Sequence, residues 1–103
     1  MQEVAEASEG LEAVDKAREL QPHLVLMDIG LPLLNGIEAA RRIREVSPKS
    51  RIIFLTQETS PEVVSAAMVL GASGYVFKSE AETHLVRALE AVLKGEQFFR
   101  GRG

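Results

Sequence analysis

Three short apolar runs, Leu24-Val25-Leu26-Met27, Ile52-Ile53-Phe54-Leu55 and Tyr75-Val76-Phe77, recur along the chain with a helical pattern between each and the next. Runs of this length without polar alternation suit strands covered on both faces, and strands alternating with helices suit a parallel sheet with right-handed crossovers. The helical segments carry their own punctuation. Ser8 is an N-cap candidate for a helix over about 9–20, in which Leu11, Val14, Ala17 and Leu20 recur every third residue as an inward stripe and Glu12 stands four residues before Lys16. Pro22 stops it. A second helix fits Ile37 to Val46, with Ile37, Ala40 and Ile43 inward and Glu38 paired to Arg42, and Ser47-Pro48 ends it. Ser60 with Pro61 opens a third helix that Gly71 closes, and Ser79 with Glu82 forms a capping box for a last helix striped by Leu85, Ala88, Leu89 and Val92 and ended by Gly95. Gln2 to Ala7 reads as a weaker opening strand. The predicted architecture is one α/β domain with a doubly wound parallel sheet over residues 1–95, and residues 96–103 read as a linker start or a frayed end.

Composition narrows the chemistry. The 103 residues include no Cys, which removes zinc ribbons, redox pairs and thiol nucleophiles. The N-terminus holds Glu3, Glu6 and Glu9 without a basic start, unlike a signal peptide, and the longest uncharged stretch, Val63 to Phe77, is broken by Gly71 and Gly74 and too short to span a membrane. A cytoplasmic protein without membrane contact is expected. Residues 1–40 carry eight acids against two bases, and residues 41–103 seven against ten; no aromatic residue is interleaved with Arg41, Arg42 and Arg44, so direct nucleic-acid binding is not expected.

In a doubly wound sheet the functional site lies beyond the carboxyl ends of the strands. The residues standing there are Asp28, Thr56 and Lys78. On adjacent strands about 4.8 Å apart, a carboxylate, a hydroxyl and an ammonium would converge on one rim. A carboxylate is a nucleophile at neutral pH without help from a base, so Asp28 can accept a phosphoryl group as an acyl phosphate, with Lys78 neutralising the phosphate and the Thr56 hydroxyl bonding one of its oxygens. Acid/base hydrolysis is disfavoured: the rim has no second carboxylate, and His23 and His84 lie elsewhere and read as structural or solvated.

The segment from Leu24 to Gly36, with Asp28, Pro32 and Gly36, resembles the phosphoacceptor strand and loop of bacterial response-regulator receiver domains. Ile52-Ile53-Phe54-Leu55-Thr56, Gly71-Ala72-Ser73-Gly74-Tyr75 and Phe77-Lys78 are similar to the later motifs of that family. The resemblance implies a flavodoxin-like fold in which Asp28 is phosphorylated by a sensor histidine kinase. It further implies that Thr56 is the switch hydroxyl, Lys78 the partner of phosphate and carboxylate, and Tyr75 the switch aromatic. Glu6-Ala7-Ser8-Glu9-Gly10 and Leu93-Lys94-Gly95-Glu96 resemble the subgroup with LuxR-type transcriptional output, so DNA would be reached only through an output domain that these residues do not include. The apolar helix from Glu62 to Leu70, the strand holding Tyr75 and the last helix correspond to a face that the family uses for dimerisation.

The departures are as informative. Receiver domains open with a strand ending in an acidic pair and a first helix, and this chain begins at what resembles the second strand. The paired acids hold Mg²⁺; here Asp28 alone remains, so weak Mg²⁺ binding and phosphorylation slowed by orders of magnitude are expected. Gln57 is bulkier than the family's residue after the switch hydroxyl. In the family's order, 2-1-3-4-5, the missing strand is central, so either Gln2 to Ala7 pairs directly with the strand ending at Asp28 or another chain covers the gap, which points to a homodimer or larger assembly. Two further readings stay open: an unphosphorylated pseudo-receiver serving as an interaction module, and a small nucleotide-binding flavodoxin-like domain, which the lack of a Gly-rich phosphate loop disfavours.

Overall fold

Packing on both faces dictates how the apolar runs assemble. The computed structural model describes residues 4–7, 10–29, 33–57 and 61–100. In order these form β1 (Val4–Ala7), α1 (Gly10–Leu20), β2 (Leu24–Ile29), α2 (Leu33–Val46), β3 (Arg51–Thr56), α3 (Pro61–Leu70), β4 (Gly74–Phe77), a 3-10 turn (Lys78–Glu80), α4 (Ala81–Leu93) and β5 (Phe98–Arg100). The strands make one parallel sheet in the order β1-β2-β3-β4-β5. Register places Met27, Phe54 and Tyr75 in one row and Leu26, Ile53 and Gly74 in the next. The first row faces α1, α2 and α3, where Ala13, Ala17, Ala40, Ile43 and Ala67 close the core. On the opposite face Leu24, Leu26, Ile53 and Val76 pack under Ala88 and Val92 of α4. Each fully buried aliphatic or aromatic side chain here, Phe54 and Ile53 among them, contributes about 1.5–3 kcal/mol.

The edge of β2 is covered from within the chain. Val4 to Ala7 pair with Leu24 to Met27, so β1 lies directly against β2. Each buried backbone group left without a partner would cost about 1–3 kcal/mol, and this pairing removes that cost without a second chain. Lys16 fastens the arrangement: its ammonium donates to the Glu6 carbonyl at 2.5 Å and pairs with Glu12 at 3.3 Å.

Several local expectations need correction. Leu11 and Leu20 are not inward; they are 69% and 40% exposed, while Ala13, Val14 and Ala17 are buried. Steps of three residues fall back about 60° each around a helix of 3.6 residues per turn, so a stripe spaced that way rotates out of the core at both ends. Glu38 pairs with Arg41, not Arg42. The second helix starts at Leu33, with Gly36 buried inside it. No capping box forms at Ser79: that residue lies within the 3-10 turn, and α4 starts after Glu80 without a side-chain cap. Gly71 and Gly95 do end their helices, at φ of 102° and 95°. The N-cap positions Ser8 and Ser60, the loop residue Pro32 and the terminal residues 1–3 and 101–103 lie outside the described residues.

The tail differs most. Phe98 to Arg100 form a strand parallel to β4, with the Phe98 N–H donating to the Ser73 carbonyl, where a linker or frayed end was expected. The strands advance in one direction across the sheet, yet α4 lies on the face opposite α1–α3. The β4–α4–β5 crossover therefore has the opposite hand to the first three, against the strong preference for right-handed connections.

Candidate functional site

The carboxyl ends of β2, β3 and β4 are aligned by their register. Asp28 stands opposite Leu55, Ile29 opposite Thr56, and Thr56 opposite Phe77, with Lys78 immediately following. Asp28, Thr56 and Lys78 thus occupy the same end of three adjacent strands. Each is put there by a local cause. The apolar run of β2 is buried from Leu24 through Met27, so Asp28 is the first polar residue as the strand leaves the core. Thr56 is the last residue of β3 and is 1% exposed; it sits one position beyond Asp28's opposite residue. At Lys78 the chain turns, because the Ala81 N–H bonds back to the Lys78 carbonyl and closes the 3-10 turn. The ammonium-bearing residue is consequently held at the rim, half-buried, and does not continue into a longer strand.

Tyr75 lies apart from this rim. It belongs to the row with Met27 and Phe54, is 1% exposed, and meets Phe77 edge to face at 5.5 Å and 84°. Two register positions separate it from Phe77, and it packs in the face under α1–α3. Gln57 is exposed in the bend after β3.

The donor set at the rim limits metal binding. Strand-end residues supply one carboxylate, Asp28, and no group of three His, Asp or Glu side chains gathers anywhere among the described residues. Mg²⁺ is ordinarily held by one or two carboxylates together with water and phosphate oxygens, and Asp28 is the carboxylate that the ends of β2, β3 and β4 supply. His23 is exposed before β2. His84 is buried in α4, with Nδ1 3.2 Å from a Glu80 carboxylate oxygen and its ring against Phe98. Neither histidine is at the rim.

Comparison with known proteins places this geometry. A family model described as the response regulator receiver domain matches residues 1–90. The transcriptional regulatory protein LnrK of Bacillus subtilis is 37% identical over 92 residues, covering 89% of this chain and 42% of the relative. The nitrate/nitrite response regulator NarL of Escherichia coli is 36% identical over 93 residues, covering 90% and 43%. The chain thus spans about two fifths of the length of these relatives. Among solved structures, a LuxR-family two-component response regulator from Aurantimonas sp. SI85-9A1 is similar at a TM-score of 0.79 and 40% identity, over 89% of this chain and 66% of that one. The isolated REC domain of RcsB from Salmonella enterica serovar Typhimurium gives a TM-score of 0.76 at 31% identity, over 88% and 67%.

Proposed function

The chain belongs to the response regulator receiver domain family, and from that premise we propose that it is a phosphoacceptor module in which Asp28 takes a phosphoryl group from a sensor histidine kinase. The observation that carries this reading is the register that puts Asp28, Thr56 and Lys78 at one end of β2, β3 and β4. In the transfer, an Asp28 carboxylate oxygen attacks phosphorus, the N–P bond of the kinase phosphohistidine breaks, and the departing imidazole nitrogen is reprotonated. Lys78 offsets the negative charge added at the rim, and Thr56 donates its hydroxyl hydrogen to a phosphoryl oxygen. Tyr75, in the packed row behind Thr56, carries the change inward. Catalysis of this kind is positioning and charge compensation; the chain is otherwise no enzyme.

Within these 103 residues the ends of β2, β3 and β4 supply a single carboxylate, so for this stretch taken alone the divalent-cation contribution is incomplete and transfer is expected to be slower by orders of magnitude than in a receiver with paired acids. The readout is transcriptional, through a DNA-binding output region of the kind that the LuxR-family similarity implies, and takes place in the cytoplasm, as is typical of response regulators. Among the described residues no helix is long and apolar enough to cross a membrane. Assembly into a homodimer or larger oligomer uses α3 and α4. β1 already covers β2, so the support for it is the exposure of Met68 and Val69 on α3 and of Val86 and Leu93 on α4.

Incubation with acetyl phosphate and Mg²⁺, followed by intact-mass measurement of wild type and Asp28→Asn, tests the reading. Slow gain of one phosphoryl group, absent from Asp28→Asn, is expected. Gain that persists in Asp28→Asn would refute Asp28 as acceptor, and rapid stoichiometric gain would refute the incomplete-site argument. No gain at all would favour the second reading, an interaction module that is never phosphorylated, which the lone carboxylate already favours over an ordinary receiver.

A further inference from the structure

We propose that the groove between α1 and α2 is a docking site for a protein segment presenting an aliphatic side chain beside a carboxylate. The groove has a volume of about 270 Å³ and is lined by Gly10, Leu11, Val14, Glu38, Ala39 and Arg42. It exists because two small residues, Gly10 and Ala39, stand where larger side chains would fill the space between the helices. Its wall is apolar: Leu11 is 69% exposed although it belongs to a helix whose neighbouring Ala13 and Val14 are buried. A leucine at that exposure adds nothing to the core, and a partner's aliphatic side chain placed against it would remove the apolar surface of both from water.

Charge on the rim selects the occupant. The cations near this surface mostly have partners on their own helices: Lys16 pairs with Glu12, Arg18 with Asp15, and Arg41 with Glu38 at 2.5 Å. Arg41 thus already engages Glu38, the one carboxylate among the described residues that line the groove. Arg42 forms no ion pair among the described residues, and its guanidinium stands on the rim with its bidentate donors open. An apolar wall next to an unengaged guanidinium is complementary to leucine- or isoleucine-type side chains flanked by Asp or Glu, and it repels segments flanked by Lys or Arg.

The test uses the full 103-residue chain, carbon-13 labelled at methyl groups, titrated with the blocked peptide acetyl-Asp-Leu-Asp-amide and with its matched uncharged counterpart acetyl-Asn-Leu-Asn-amide. Saturable shifts of the Leu11 and Val14 methyl signals are expected with both, with a dissociation constant roughly two- to five-fold tighter for the acidic peptide, the size of an exposed ion pair. Arg42→Gln, an exposed and unpaired position that leaves the fold intact, should abolish the difference between the peptides. Leu11→Asn should weaken both. Absence of saturable shifts at Leu11 and Val14, equal affinity for the two peptides, or a preference for the acidic peptide that survives Arg42→Gln would each overturn the proposal.

Discussion

Replacing Gly74 by Ala separates two opposing effects at the centre of the sheet. Alanine restricts the unfolded chain more than glycine does, which at a compatible position stabilises a protein by about 0.4–1 kcal/mol. Gly74 is fully within the ordinary backbone range, so nothing in its own torsions opposes the change. Its neighbours do. A Cβ built on Gly74 would lie 2.9 Å from Cγ1 of Ile53, its register partner on β3, and 3.3 Å from the Phe98 carbonyl oxygen on β5. Ile53 is wholly buried and gripped by Leu24, Leu26, Val76 and α4, so it cannot swing clear, and the Phe98 contact is backbone. Overpacking of this kind costs about 1–3 kcal/mol, which exceeds the entropic gain, so Gly74→Ala should destabilise by a net of about 1–2 kcal/mol. Urea unfolding followed by circular dichroism measures it. Because the clash is with Ile53, adding Ile53→Ala should make the two substitutions couple favourably, the double variant being more stable than the sum of the single losses by about 1 kcal/mol. A stabilised Gly74→Ala, or strict additivity in the cycle, would refute the close approach of β3 and β4 at this point.

Other substitutions probe other parts of the account. Ser50 is buried, its hydroxyl donating to the Pro22 carbonyl and meeting the Ser47 hydroxyl at 2.6 Å, so Ser50→Ala strands both and should cost about 2 kcal/mol in urea unfolding, with Ser47→Ala adding little to it. Arg51→Met keeps the aliphatic stem but removes the guanidinium that donates to the Val92 carbonyl at the end of α4; a loss of about 1 kcal/mol and faster amide exchange in the last turn of α4 are expected. Val69 is 88% exposed, so Val69→Lys should leave stability within about 0.5 kcal/mol while weakening self-association in sedimentation velocity; wild type that is monomeric at tens of micromolar would remove the assembly from the account.

The parts of the fold legible in the sequence were those where one strong preference acts alone. Leu24 to Met27, Ile52 to Leu55 and Tyr75 to Phe77 are apolar on both sides of the pleat, and only a covered parallel strand satisfies that. Gly71 and Gly95 marked helix ends because the left-handed backbone there favours glycine. Where two preferences compete, the reading failed. Asn35-Gly36 has the composition of a turn, yet Gly36 is buried within α2, and the roughly 1 kcal/mol it loses as a helix glycine is offset by tertiary packing. Glu38 had candidate partners at both three and four residues' distance, and periodicity cannot choose between Arg41 and Arg42. Phe98 to Arg100 escaped because their strand is short and requires a crossover of the disfavoured hand. The strand-end positions of the site were visible for a simple reason: in each case a buried apolar run ends in a polar residue, and parallel register then lines up those ends. The phosphate-binding roles of Thr56 and Lys78 follow from their residue types and register supplies their placement, whereas the switch roles of Thr56 and Tyr75 came from resemblance.

Beryllium fluoride, which mimics an acyl phosphate when bound to a carboxylate, gives the most direct access to that rim. Added with Mg²⁺ to nitrogen-15-labelled protein, it should shift the Thr56 and Lys78 amide signals along one common saturation curve and leave both unmoved in Asp28→Asn. Shifts confined to one of the two strands, or retained after Asp28→Asn, would contradict a site assembled from the ends of β2, β3 and β4.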